Sequence, residues 1–167
     1  NKNQCKECHS TNDVISPIGP KARNLDKDFI YGDETKNQLA YLLQNGVIDS
    51  IPINFQTVSD WEDESQSLED RARAYLAINC GHCHTPSGVA NSTGLYLNFN
   101  EVRPLHLGIN KSPVATGRGS GNLNYSIVPG KAHESILLFR MISTDPGVMM
   151  PESGRSLVHV EASNLIE

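Results

Sequence analysis

Cys80-Gly81-His82-Cys83-His84 decides how this chain is read, and Cys5-Lys6-Glu7-Cys8-His9 repeats its spacing. The two runs use all 4 cysteines of the 167-residue sequence, so none is left over for a disulfide. C-x-x-C-H is the attachment pattern of covalent haem c. Two thiols three positions apart reach the two vinyl groups along one porphyrin edge, and the next residue presents its imidazole to the iron. Two other chemistries use related spacings. Structural zinc takes four ligands, and the C-x-x-C-H pattern supplies three. A thioredoxin-like pair follows a buried strand, whereas residues 67–79 read as a helix. Covalent haem is the expectation at both runs. Cys5, Cys8, Cys80 and Cys83 are its thioether sites, and His9 and His84 its iron ligands.

Upstream of the second run, Ser67-Leu68-Glu69-Asp70 reads as a helix start with Ser67 at the N-cap and an acid three residues on. The helix extends to about Asn79 with Leu68, Ala72, Tyr75 and Leu76 on one stripe, and delivers the chain into Cys80. Residues 85–132 are rich in loop residues. The glycine run Gly117-Arg118-Gly119-Ser120-Gly121 lacks the Lys-Ser/Thr of a phosphate loop. Arg118 is a candidate partner for a haem propionate, because a guanidinium matches a carboxylate in shape and charge. A short helix follows over Ser135 to Ile142 with Ile136, Leu137, Phe139 and Met141 facing inward, and a last helix starts near Val158. Between them, Met149-Met150-Pro151 sits in a Pro- and Gly-bracketed loop. A thioether there suits a sixth iron ligand and favours the ferrous state; Met150 is the first choice and Met149 the second.

The first half is different. Residues 1–66 contain no Met and no His beyond His9, and Ile51-Pro52 stands where Met150-Pro151 stands in the second half. The sixth position of a first iron is therefore open, or is filled by Lys21, Met149, His106, His133 or His159. Pro20, in the Gly19-Pro20 turn, is a candidate to orient His9 through its carbonyl. A helix is expected over 35–45, ended by Gly46. The acidic stretch Ser59-Asp60-Trp61-Glu62-Asp63-Glu64-Ser65 reads as a linker between one unit at 1–58 and another at 59–167. The expected architecture is mainly α, with two tandem cytochrome c-like haem domains and long loops.

Composition narrows the function classes. Lys+Arg 14 against Asp+Glu 19 gives a net charge of −5 with no basic stripe, which argues against nucleic acid. No apolar run is long enough for a membrane span. Aromatic residues make up only 6% of the chain, leaving two small cores short of bulk that a porphyrin would supply. Asn1 reads as a cut end, with a preceding domain expected outside this sequence.

Several stretches together resemble a family of bacterial exported dihaem cytochromes c. They are Ile18-Gly19-Pro20-Lys21-Ala22-Arg23-Asn24-Leu25, Arg71-Ala72-Arg73-Ala74-Tyr75-Leu76, Met149-Met150-Pro151-Glu152 and Gly154-Arg155-Ser156-Leu157-Val158-His159. The resemblance implies two covalent haems and a longer natural protein. The family pattern often carries a cysteine near 107–113, where this chain has none. Thioether formation takes place outside the bacterial cytoplasm, so a periplasmic or extracellular location is expected. The expected activity is electron transfer to an unidentified redox partner protein. The alternative is a dihaem peroxidase or oxidase using an open first iron.

Overall fold

The computed structural model describes residues 2–12 and 14–167; Asn1 lies outside them. It is mostly helix and coil with long loops, the coarse part of the expectation. Helix α1 (Lys2–Cys8) carries Cys5 and Cys8 one turn apart and leads into a minimal antiparallel pair, β1 (Ser10–Thr11) and β2 (Val14–Ile15). Helix α2 (Ala22–Leu25) is a single turn.

A β-hairpin that the sequence reading did not anticipate comes next. Strands β3 (Asp28–Tyr31) and β4 (Glu34–Asn37) pair with Tyr31 opposite Glu34, around a two-residue turn in which Gly32 takes φ +64°. A turn of that length needs a residue that tolerates positive φ, and glycine does so without strain. The hairpin takes the first turn of the helix expected over 35–45. Helix α3 (Gln38–Gln44) starts later because the Asn37 side chain accepts a hydrogen bond from Ala40 N at 3.1 Å.

Helix α4 (Leu68–Asn79) follows the sequence closely: Ser67 Oγ accepts from Asp70 N at 3.1 Å. Its buried residues are Ala74, Tyr75 and Leu76. Leu68, placed on the inner stripe by periodicity, is 62% exposed, since the first turn projects beyond the body that the later turns pack on. Helix α5 (Ile136–Ile142) buries Ile136 and Leu138, and α6 (Val160–Ile166) buries Ala162, Ser163 and Leu165. Of the residues expected to face inward on α5, Ile136 is buried and Leu137, Phe139 and Met141 only partly so, whereas Leu138, not expected there, is buried; the Phe139 ring lies against Gly121.

The core lies where α4, α5 and α6 meet: Tyr75, Leu76, Leu97, Ala162 and Leu165, with Trp61, Leu137 and Met141 packed against it. The start of the acidic stretch is tied down rather than free. Lys27 reaches Asp60 at 2.8 Å, Arg71 Nε donates to the Trp61 carbonyl at 2.9 Å, and the Trp61 ring stands edge-on to Tyr75 and His159. Glu101, only 6% exposed, accepts from Arg103 and from the backbone N–H groups of Val102 and Arg103. Those bonds, with the Arg103 side chain foremost, hold its carboxyl well below the usual range. Arg73 of α4 donates to the carbonyls of Phe99 and Glu101, fixing this loop against the helix that leads to the second cysteine run.

Candidate cofactor site

The second C-x-x-C-H run continues α4 as a tight turn. Cys80 N bonds to Leu76 O at 2.9 Å, and Cys83 N and His84 N both bond to Cys80 O. Gly81 is required there: a Cβ would come within 2.7 Å of Ala77 O and 3.0 Å of Leu97 O. The chain returns alongside, with Leu97 N donating to His84 O at 2.8 Å. His84 is buried, and its Nδ1 lies 3.3 Å from the carbonyl of Leu95. Burial, the largest influence, lowers its pKa and favours the neutral ring. When Nδ1 donates to Leu95, the Nε2 lone pair is left for an electrophile, as in histidine ligands oriented by a backbone carbonyl.

These residues open on a cavity of about 690 Å³, within the range of about 300–1,000 Å³ typical of cofactor and ligand sites. Leu76, Leu95, Leu97, Ile136, Leu137, Met141 and the 113–115 segment make most of its wall apolar. Cys80, Cys83 and His84 lie on its border together with Met150. Met149 is buried but does not line it. Met150 N bonds to Arg140 O at 3.0 Å, so α5 positions the methionine segment directly. Burial pushes the Cys80 thiol up to about 12.

Two arginines that sequence reasoning missed also line the cavity, Arg140 and Arg155. Arg140 Nε donates to Val148 O at 2.8 Å, and its Nη2 lies 3.4 Å from Glu152. Arg155 donates to the carbonyls of Arg140, Ser143 and Leu157, yet its Nε is buried with no hydrogen-bond partner. Two guanidinium groups on the border of an apolar cavity fit a ligand that is apolar in bulk and acidic at one edge. The expected arginine, Arg118, does not line the cavity. It pairs with Asp145 at 2.8 Å, and Asp145 Oδ1 also accepts from Gly147 N at 2.8 Å, so Arg118 braces the turn before Met149 and Met150 from outside. The pairing of Arg118 with Asp145 depends on tertiary structure, which spacing along the chain does not reveal.

Paired thiols, a neutral imidazole, a thioether, apolar walls and arginine at the border fit a haem at the second run. Among the described residues, the first run does not form such a site. Cys5 and His9 are exposed, and Cys8 alone lines the large cavity, away from the arrangement its motif calls for. Cys8 Sγ, a His82 ring nitrogen and Cys83 Sγ instead lie within 4.8 Å of one another. Pro20 is exposed and lines neither this cavity nor a smaller one of about 120 Å³ between the 18–24 loop and the end of α4.

The side chains named as alternative sixth ligands for the first iron are dispersed. Lys21 lines the small cavity, whereas His106 bonds to Glu101 at 3.2 Å and His133 to Glu167 at 3.0 Å. His159 Nδ1 sits 3.1 Å from the Tyr75 hydroxyl on the border of the large cavity.

Comparison with known proteins adds no relative: no family model, no curated protein and no solved structure matches this chain.

Proposed function

We propose that this chain is an exported electron-transfer protein of the c-type cytochrome class. Its best-supported covalent haem is held by Cys80, Cys83, His84 and Met150, in the second of two tandem haem-bearing units. The observation that carries this reading is the apolar cavity bordered by one complete C-x-x-C-H run and by Met150. A second haem at Cys5, Cys8 and His9 belongs to the same proposal on the strength of spacing alone.

Bound haem supplies a one-electron Fe(II)/Fe(III) couple. The chain's residues set the conditions for it. Cys80 and Cys83 would provide the thioether sulfurs, and His84 is held in an orientation that leaves Nε2 available. Met150 offers a soft ligand that favours the reduced state. Leu76, Leu97 and Ile136 exclude water, which limits solvent reorganisation when charge changes. Arg140 and Arg155 match acidic substituents at the border. Electron transfer of this kind needs a partner protein and no substrate pocket; the acidic 59–65 stretch suits a basic partner. The absence of a helix long and apolar enough to cross a membrane, among the described residues, fits this reading without deciding it.

Potentiometry tests it. Reversible one-electron waves are expected, one for each attached haem, with the higher-potential wave lost or lowered in Met150→Ala. A protein that exchanges electrons with no mediator would overturn the reading. A second reading, a peroxidase- or oxidase-type enzyme, draws on the exposed His9 and the missing ligand at Ile51-Pro52. A high-spin ferric signal that shifts with cyanide or peroxide favours it; low-spin signals alone favour the carrier.

A further inference from the structure

Cys8 and Cys83 come from different C-x-x-C-H runs, yet the fold brings their Sγ atoms and a ring nitrogen of His82 within 4.8 Å of one another. Neither run arranges its own pair of thiols around that point. The juxtaposition comes from α1 lying against the turn that follows α4, and a backbone bond from Asn12 N to Ser87 O at 3.2 Å ties the two segments together. All three side chains are half-buried, and His82 Nδ1 is buried without a hydrogen-bond partner. Two thiolates and an imidazole are a soft donor set, the kind that selects Zn²⁺ among biological divalent ions. C-x-x-C-H spacing alone supplies three ligands from one segment; here the fold supplies three from two.

We propose that the haem-free chain binds one Zn²⁺ through Cys8, His82 and Cys83, with water in the fourth position. Binding releases two protons, one from each thiol, and no electron is transferred. The ion pins the first run to the second. It also occupies Cys83, a sulfur that haem attachment at the second run requires, so metal and haem exclude each other there. The site thereby acts as a gate on maturation, a role that rests on the haem reading, whereas the metal binding itself stands independently of it. Mass measurement of the exported chain judges the haem; metal binding by the haem-free chain judges this site.

The experiment uses the full 167-residue chain made without haem attachment and kept reduced, titrated with Co²⁺ as a spectroscopic probe and then with Zn²⁺. The expected result is one Co²⁺ per chain, with thiolate charge-transfer bands and the visible bands of four-coordinate cobalt, displaced by one Zn²⁺. Cys8→Ser, Cys83→Ser and His82→Ala each weaken binding at least tenfold, and Cys5→Ser binds as the parent does. Circular dichroism with and without metal covers the case of a chain that folds only when loaded, in which gain of structure on adding Zn²⁺ with the same variant pattern supports the site. Absence of cobalt binding overturns the proposal. So does equal dependence on Cys5 and Cys8, or on Cys80 and Cys83, which would mean that each run chelates metal by itself.

Discussion

The two halves of the molecule solve the problem of burial in different ways. Among the described residues, Leu39 is the only one before Trp61 that is fully buried, while Phe29, Ile30, Val47 and Ile53 are 49% to 87% exposed. From Trp61 onward, α4, α5 and α6 enclose both a small core and the large cavity. Both halves carry the same five-residue pattern. A helix that ends at the cysteine run, a returning strand-like segment at 95–97 and a methionine loop make a pocket in one half. In the other half, hairpins and short helices leave Cys5 and His9 exposed. An attachment motif is thus a local signal, and the pocket around it is a tertiary one.

The first prediction concerns the half with the pocket. Cys80→Ser combined with Cys83→Ser removes covalent haem from the second run entirely, while Cys5→Ser with Cys8→Ser leaves that haem in place; haem-stained gels and peptide masses read the difference. The next contrast is in packing. Leu97→Ala, at a site 2% exposed, is expected to cost about 2–5 kcal/mol in urea unfolding. Ile53→Ala, at a site 87% exposed, is expected to stay within about 0.5 kcal/mol. Similar losses at the two positions would break the comparison between the halves.

A third prediction follows from Glu101, whose carboxyl is held low chiefly by Arg103. A depressed folded pKa contributes stability above the ordinary glutamate value, and that stability is lost as pH falls toward the folded value. The parent should therefore lose unfolding midpoint steadily on acidification below the ordinary glutamate range. Glu101→Gln should start lower at neutral pH and fall less steeply. A fourth, smaller effect is expected at the N-cap of α4: Ser67→Ala should cost about 1 kcal/mol. The smallest is at the tether between the halves, where Lys27→Ala, breaking the exposed pair with Asp60, should cost under about 1 kcal/mol.

Local features were legible in the sequence. Ser67 as a cap, α4 running into Cys80, and α5 near 136–142 all follow from neighbours a few positions apart, and the structure places them as read. The β3–β4 hairpin was missed because its strands are only half-amphipathic: Phe29 and Ile30 are adjacent and both exposed, so no alternation marks them. Met150 at the cavity was readable from its proline and its loop. Arg140 and Arg155 were not, because one sits on a helix face and the other in a coil, and only the fold brings them to the same border. The meeting of Cys8 with His82 and Cys83 is likewise a long-range event that no local pattern encodes.

The most direct measurement is peptide mass spectrometry on the chain exported by a bacterium that can form haem thioethers. The peptide spanning Cys80–His84 should carry a covalently bound haem that survives acid extraction, and the protein should give a haemochrome spectrum in alkaline pyridine. Recovery of that peptide at the mass of its bare amino acids, from cells that attach haem to a control cytochrome, would contradict the assignment.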